Sequence, residues 1–301
     1  MARAVVFGEC MVELSLTGAD SARVGYAGDT FNTAVYLRRL GRPAAYATAL
    51  GRGDRFSLGV LGLMRTEGID TDLVTEVEGR LPGLYAIERD AAGERSFFYW
   101  RGEAPIRDYA RLADLGRLRS AFLAADLIYL SGISLAVVGE DGRRVLTQMI
   151  SEAAAAGVAV AFDPNHRPRL WRSREAARAA MEAIVPACRF LSFGDEEVES
   201  LFGRPGEALA VEWARSGLEV VRRDAGRSAH VHRGDRVDSI APMPAPKVVD
   251  TTGAGDAFNA AYLASRMGGE EPAHAVRAAQ ALAARVVAWP GAILPRDQTA
   301  S

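Results

Sequence analysis

The chain has 301 residues, of which 49% are hydrophobic and 25% charged, and its formal net charge at pH 7 is −2. This length and hydrophobic content suffice for one large core. The lack of a basic excess argues against nucleic acid or an anionic membrane surface as a partner. Cys10 and Cys188 are too few and too far apart for a disulfide framework or a zinc site, which favours buried thiols in a reducing compartment.

The first ten residues, MARAVVFGEC, contain an apolar run that is too short for a signal peptide. No uninterrupted apolar stretch approaches the roughly 18 residues of a membrane span. We therefore expect a cytoplasmic protein. Lys247 is the only lysine, which excludes a P-loop, because that motif needs a lysine directly after its glycines. A phosphate site in this chain has to use backbone amides, helix ends and arginines.

Short apolar runs alternate with amphipathic helical patterns along the chain. The predicted strands are 4–8, 44–50, 83–90, 95–100, 127–132, 158–163, 190–193 and 218–223. The predicted helices are 30–41, 59–68, 142–157, 196–203, 255–269 and 270–289. Repeated alternation of strand and helix predicts an α/β fold with a mostly parallel sheet covered on both faces. Ligand sites in such folds lie beyond the carboxyl ends of the strands.

Residues 81–101 break this alternation, since two strand patterns follow each other around DAAGE (90–94) without a helix. The pattern predicts an antiparallel hairpin that projects from the α/β layers as a lid. A projecting hairpin with an exposed apolar face also favours pairing between copies, so we expect a homo-oligomer.

The stretch DTTGAGDAFNAAY (250–262) places small residues and a carboxylate at the start of a predicted helix. The first amides of a helix lack internal partners and carry positive potential, so TGAG (252–255) suits a bound anion. Asp256 in the first turn can accept a proton from a hydroxyl. Together these are the parts that phosphoryl transfer needs. The alternative is ordinary helix capping, with Asp256 serving only the helix dipole.

Two other segments carry clustered polar side chains. GYAGDTFNTAVYLRRLG (25–41) puts Gly28, Asp29 and Asn32 where a helix begins, which suits a polyol, although Asp29 could simply cap the helix. FDPNHRPRLW (162–171) follows a buried strand with several groups able to bind a ligand. Those groups are Asp163, Asn165, His166 and Arg167.

AGDTFNTAVYLRRLG and DTTGAGDAFNAAYL resemble the two signature regions of the ribokinase-like (PfkB-type) sugar kinases, and GIDTDLV (68–74) and GAILP (291–295) also fit. The resemblance implies one ribokinase-like domain over 1–301, a three-layer αβα sandwich with a small β-sheet lid from segments near 10–25 and 81–102. It implies use of ATP and Mg²⁺ to phosphorylate a sugar hydroxyl. Asp256 would be the base, and the amides of Gly253, Ala254 and Gly255 would form the anion hole.

Within this family, FFYWRGE (97–103) and DPNHRPRLW resemble the 2-keto-3-deoxygluconate kinases. That likeness implies an acid sugar held by Tyr85, Tyr99, Arg101 and Arg167. Arginine binds carboxylates in a planar, bidentate way, which a neutral sugar does not require. Tyr99 and Arg101 should share one strand face, and Phe98 and Trp100 the other. Fructose, ribose or another sugar of the family remains an alternative substrate.

The nucleotide side departs from the family pattern. By resemblance, Glu197 acts on the Mg²⁺–phosphate network, and Asp250 and Thr252 with Gly291 suggest a site for a monovalent cation such as K⁺. Arg222 stands where relatives have a lysine, which places it with the nucleotide-binding residues, and Asp224 replaces a glycine. A carboxylate there should repel phosphates unless Arg222 or Arg223 pairs it. This departure motivates an alternative of another class, a sensor that binds a sugar acid without catalysis.

Overall fold

The computed structural model describes residues 3–18, 20–89, 95–245 and 247–299. Its strands are β1 (Ala4–Phe7), β2 (Met11–Gly18), β3 (Ser21–Ala27), β4 (Ala44–Gly51), β5 (Val74–Val77), β6 (Leu84–Arg89), β7 (Arg95–Trp100), β8 (Leu127–Ser131), β9 (Ala159–Asp163), β10 (Phe190–Gly194), β11 (Glu219–Arg223), β12 (Ala229–Arg233) and β13 (Arg236–Ile240). Its helices are α1 (Asp29–Arg39), α2 (Arg55–Thr66), α3 (Tyr109–Leu112), α4 (Leu115–Leu123), α5 (Gly132–Val137), α6 (Gly139–Ala155), α7 (Arg174–Ile184), α8 (Asp195–Phe202), α9 (Gly206–Arg215), α10 (Ala254–Met267) and α11 (Pro272–Val287).

The larger sheet has nine strands in the order β13-β12-β11-β10-β9-β8-β1-β4-β5. Its strands are parallel from β11 to β5, and β12 and β13 extend one edge as an antiparallel hairpin. β1, β4 and β8 are buried along their whole length, as expected for strands covered by helices on both faces. The predicted fold class is confirmed, and each of the eight predicted strands is present to within one residue at either end.

The strands that were not predicted lack continuous apolar runs. The sequence of β13 is RVDSI, and four of its five residues are exposed or half-buried. β2 and β3 are buried only at the ends nearest the large sheet. A strand that faces water on one or both sides carries a weak hydrophobic signal, which explains why the pattern did not reveal β2, β3 and β13. The short strands β5 and β12 were not predicted either.

The smaller sheet has four strands in the order β3-β2-β6-β7. β6 and β7 pair antiparallel, with Tyr85 opposite Tyr99, so the predicted hairpin is confirmed. Its predicted turn at 90–94 lies outside the described residues. β2 and β3 occupy the first stretch expected to contribute to the lid. The division of the chain into one domain with lid segments at 10–25 and 81–102 stays a prediction.

Two apolar clusters flank the larger sheet. Val5 and Phe7 belong to one cluster, whereas Ala4 and Val6 belong to the other, because successive strand residues point to opposite faces. Cys10 and Cys188 are buried, and burial raises the pKa of both thiols. In the part of the chain that the structure describes, no helix combines the length and apolar character needed to span a bilayer.

A buried ion pair links the end of α1 to the residue after α2. The Arg39 guanidinium donates to both carboxylate oxygens of Glu67, at 2.9 and 2.7 Å. The Glu67 side chain is only 4% exposed. Arg39 also donates to the carbonyl oxygen of Leu294 at 2.7 Å. Neither residue lines a cavity of the candidate active site, so changes to this pair measure what a buried ion pair contributes to stability.

Candidate active site

A cavity of about 1500 Å³ lies between the carboxyl ends of the central strands and the smaller sheet. It brings together most of the predicted site residues. Those on its wall are Gly28, Asp29, Asn32, Tyr85, Tyr99, Arg101, Asp163, Asn165, Arg167, Glu197, Thr252, Gly253, Gly255 and Asp256. Five carboxylates and five arginines are among the described residues that line it, so the wall offers charges of both signs.

A second cavity of about 800 Å³ adjoins the first. Ala254 lines only this second cavity, and its apolar wall includes Met243, Phe258 and Val287. The residues common to both walls are Arg167, Pro168, Glu197, Arg223, Thr251 and Gly255. A group moving from one cavity to the other therefore passes two arginines and the start of α10.

The start of α10 forms a close-packed cradle. Gly253 precedes the helix with φ +77°, and a Cβ there would lie 2.6 Å from the Ala292 Cβ, so this position requires glycine. The segment around Ala292 is fixed in turn by Tyr36, whose hydroxyl donates to the Ala292 carbonyl oxygen at 2.8 Å and accepts from the Leu294 amide at 3.0 Å. The backbone of residues 253–255 is thus presented to the cavities at a helix N-terminus, where anions bind.

Asp256 lies in the first turn of α10, and its Oδ2 accepts a 2.8 Å hydrogen bond from Asn32 Nδ2. Burial raises the pKa of Asp256 well above its usual range, with a further contribution from the negative charge of Asp29. The Asn32 hydrogen bond and the positive charge of Arg167 lower that pKa. A carboxylate with a raised pKa is a stronger base, so Asp256 suits removal of a proton from a hydroxyl near neutral pH.

Two more asparagines donate hydrogen bonds to two other carboxylates of the wall, those of Asp29 and Asp163. Asn165 Nδ2 donates to Asp29 Oδ2 at 2.9 Å, and Asn259 Nδ2 donates to Asp163 Oδ2 at 2.6 Å. Asn165 itself has φ +36°, and its amide donates to Asp163 Oδ1 at 3.0 Å. The two side-chain bonds, from Asn165 to Asp29 and from Asn259 to Asp163, join residues distant in sequence, so the acidic wall is cross-braced by the ends of α1, β9 and α10.

Glu197 lies at the junction of the two cavities, and the backbone amide of His166 donates to its Oε1. Burial and the negative charge of Asp163 raise the pKa of Glu197 to about 7. Burial lowers the pKa of His166, and Arg167 contributes in the same direction. His166 contributes its backbone amide to this site.

The two arginines of β11 point to opposite sides. Arg222, predicted to bind the nucleotide, lies on neither cavity wall, because its side chain pairs with Asp195 at 2.7 Å. Arg223 lies on both walls, donates to Ser192 Oγ at 2.9 Å and stacks over Phe258. Asp224 accepts from the Ser228 amide and contacts His230 at 2.9 Å. Of these two arginines, the one that faces the cavities is thus Arg223, and the nucleotide-binding role of Arg222 stays a prediction.

The smaller sheet contributes the aromatic wall. Tyr85 is buried and donates its hydroxyl hydrogen bond to Glu13, whereas Tyr99 is 51% exposed. The ring centroids of this pair are 5.8 Å apart. Phe98 and Trp100, expected to face away, are 45% and 61% exposed and also border the cavity.

Asp250 and Thr252, proposed from the resemblance to hold a monovalent cation, lie just before the cradle. The Asp250 carboxylate accepts from the Thr252 amide at 2.8 Å and from the Gly291 amide at 3.0 Å. Asp250 thus joins the loop before α10 to the segment that packs on Gly253.

Four charged residues on the wall of the first cavity were not assigned to the site from the sequence: Glu9, Arg107, Arg169 and Arg223. Strand alternation along β11 could have identified Arg223, since Arg222 and Arg223 must face opposite sides. Glu9 stands alone in the loop after β1, Arg107 lies in a short 3-10 helix (Pro105–Asp108) after β7, and no spacing or motif marks either residue. They reach the cavity only through tertiary folding.

Comparison with known proteins places this geometry in a family. The profile described as "pfkB family carbohydrate kinase" matches residues 1–299. A 2-dehydro-3-deoxygluconokinase from Dickeya dadantii is 40% identical over 304 residues, covering 97% of this chain and 96% of that protein. A 2-dehydro-3-deoxygluconokinase from Escherichia coli is 39% identical over 303 residues, covering 97% of each.

Among solved structures, a ribokinase II from Escherichia coli in complex with ATP and Mg²⁺ superposes with a TM-score of 0.83. It is 20% identical, and the match covers 97% of this chain and 94% of that one. At this identity the likeness establishes the ribokinase-like fold. Taken with the match over residues 1–299, it follows that the chain belongs to the pfkB family of carbohydrate kinases.

Proposed function

We propose that the protein is an ATP-dependent kinase that phosphorylates the terminal hydroxyl of 2-dehydro-3-deoxygluconate, the sugar acid also called 2-keto-3-deoxygluconate. The observation that carries the proposal is the position of Asp256, a carboxylate of raised pKa at a helix N-terminus beside the junction of two cavities. Relatives named as kinases of this sugar acid, at 39% and 40% identity over nearly the whole chain, support the choice of substrate.

In the proposed reaction, Asp256 accepts the proton of the attacking hydroxyl as its oxygen bonds to the γ-phosphorus. The bond from that phosphorus to the leaving oxygen breaks, and the electron pair leaves with ADP. The amides of residues 253–255 face the charge that develops on the moving group, and Arg167 and Arg223 flank its path. The proton stays on Asp256 until the product departs.

The second cavity suits ATP with Mg²⁺. Its apolar wall of Met243, Phe258 and Val287 can cover an adenine, and Arg167 and Arg223 at the junction can face the phosphates. Mg²⁺ supplies charge neutralisation on those phosphates when bound. Glu197, on the wall of the second cavity, would act on the Mg²⁺–phosphate network. Asp250 and Thr252 are the proposed position for K⁺.

The first cavity suits an acid sugar. Arg101 and Arg167 both line it, and a guanidinium group gives a carboxylate two parallel hydrogen bonds. Asp29, Asn32 and Asn165 can bind hydroxyl groups of the same ligand, and Tyr85 and Tyr99 can cover it. Closure of the smaller sheet over this cavity would exclude water, so that phosphoryl transfer to the sugar exceeds hydrolysis.

Location and assembly complete the proposal. We place the enzyme in the cytoplasm, where its two buried thiols stay reduced. Exposed apolar side chains on the smaller sheet favour a homo-oligomer that pairs through it. The side chains concerned include Leu16, Val24, Phe98 and Trp100.

The test is coupled ATP turnover with 2-dehydro-3-deoxygluconate, fructose and ribose, for the wild type and Asp256→Asn. We expect turnover of the acid sugar and a fall in kcat of about 10³-fold in the variant, the range for loss of a general base. Glu175→Gln is the matched control, since Glu175 is an exposed acid in the first turn of α7. Binding of the acid sugar without turnover would contradict the proposed kinase activity and favour the alternative, a sensor that binds a sugar acid without catalysis.

A further inference from the structure

Glu9 lies where the smaller sheet joins the rest of the molecule. The chain crosses between the two parts four times: at 8–10, at residue 28, at 78–83 and at 101–104. Glu9 belongs to the first crossing, and its backbone oxygen would lie 2.2 Å from a Cβ on Gly28 in the second. Its Oε1 would lie 2.5 Å from a Cβ on Gly83 in the third.

Arg101, in the fourth crossing, donates from Nη2 to Glu9 Oε2. The Glu9 side chain is 4% exposed and that of Arg101 is 13% exposed, so this ion pair is largely shielded from water. Among the residues that the structure describes, Glu9 is the only hydrogen-bond partner of the Arg101 side chain, and Arg101 Nε is buried without an acceptor. One carboxylate on the core side therefore sets the orientation of this guanidinium.

Burial raises the pKa of Glu9, and three charged residues also affect that pKa. Arg101 and Arg107 lower that pKa, and Asp29 raises it. All three line the same cavity as Glu9. The Glu9 carboxylate is thus paired with Arg101 and is close enough to Arg107 and Asp29 on the same cavity wall to be influenced by their charges.

We propose that Glu9 is a positioning residue for sugar-acid recognition: it holds Arg101 at the cavity wall in the orientation that receives the carboxylate of the substrate. The inference rests on the proposed function, because it takes Arg101 as the group that binds that carboxylate. Glu9 acts through Arg101 and does not touch the transferred phosphoryl group. Affinity for the acid sugar then depends on a residue next to β1 as well as on the smaller sheet.

Gly83 provides the space that the Glu9 carboxylate occupies. A methyl group at position 83 would displace Oε1 while leaving both charges of the ion pair in the protein. Gly83→Ala is therefore expected to reproduce part of the effect of removing Glu9. Glu9→Gln keeps an oxygen that can accept from Arg101, so it should restore part of the affinity that Glu9→Ala loses.

A double-mutant cycle tests the proposal, with KM, kcat and the calorimetric Kd for 2-dehydro-3-deoxygluconate measured for each variant. We expect Arg101→Ala to raise KM and Kd about 30- to 100-fold, the loss of a charge-assisted contact, and Glu9→Ala about tenfold. The double variant should match Arg101→Ala within about twofold. kcat should stay within about threefold throughout.

Glu67→Ala is the matched control, since Glu67 forms a buried ion pair of similar exposure away from the cavity. It should lower the melting temperature and leave KM and Kd unchanged. The proposal is overturned if the Glu9 and Arg101 effects multiply, or if Glu9→Ala, Glu9→Gln and Gly83→Ala all bind the acid like the wild type. A wild type that binds but does not phosphorylate the acid refutes the proposed function alone, because the Kd cycle still tests Glu9.

Discussion

The two walls of the cavity are held in different ways. On the core side, each of three carboxylates receives an asparagine amide: Asp256 from Asn32, Asp29 from Asn165 and Asp163 from Asn259. On the side of the smaller sheet, Tyr99 is half exposed and Arg101 is fixed by one carboxylate. The cross-braced wall suits chemistry, which needs groups held to within a fraction of an ångström, whereas the loosely held wall suits selection and closure.

After Asp256→Asn, the largest effect is expected on the core wall, at Arg223. Arg223→Met removes a cation that lines both cavities, so kcat should fall about 100-fold, as for other groups that stabilise charge in a transition state. The same change at Arg222 breaks a buried ion pair with Asp195 and should lower stability by about 3 kcal/mol. Steady-state kinetics and thermal unfolding of both variants separate the two outcomes. A fall in kcat at 222 and not at 223 would restore the assignment made from the sequence.

A smaller effect is expected on the opposite wall, at Tyr99. Tyr99→Ala removes an aromatic surface that lines the cavity, so KM for the sugar acid should rise about tenfold while kcat changes little. Tyr99→Phe separates the ring from the hydroxyl. If Tyr99→Ala instead lowered kcat as strongly as Arg223→Met, the division of labour between the walls would be wrong.

The smallest effect concerns Glu197 and pH. Its folded-state pKa of about 7 exceeds the ordinary value of 4.5, so the folded protein retains a proton that the unfolded chain releases between these pH values. The stabilisation from this group is complete below about pH 4.5 and is lost as pH rises toward about 7. Urea unfolding of the wild type and Glu197→Gln at pH 5 and pH 7 should show a weaker loss of stability in the variant. Equal losses of stability in the two proteins would show that the pKa of Glu197 is not raised in the folded protein.

Sequence patterns predicted the layers of the fold well, because parallel strands buried on both faces leave continuous apolar runs such as AAYATAL at 44–50. Of the four strands of the smaller sheet, the sequence pattern predicted only β6 and β7. β6 and β7 carry aromatic residues at strand spacing, whereas β2 and β3 face water along much of their length and leave little periodic signal.

The site was predicted unevenly for a physical reason. Asp256, Asn32 and Asn165 lie in local motifs at element ends, where sequence alone indicates exposure to a ligand. Whether Arg222 or Arg223 faces the cavities depends on which face of β11 packs toward α10, and only the tertiary structure determines that. Glu9 has no local pattern, because its importance arises from the four chain crossings that meet around it.

The hydrogen bond between Asn32 and Asp256 joins residues 224 positions apart, and the cradle beside it packs on Ala292. During synthesis, early strands emerge first and can begin to fold while the ribosome is still translating the second half of the chain. Asp256, its partner Asn32 and the support for Gly253 can assemble only after Leu294 has left the exit tunnel. A chain that stops before Ala292 therefore lacks the support for Gly253, although all the described buried residues of the apolar cluster that contains Val5 and Phe7 precede position 221.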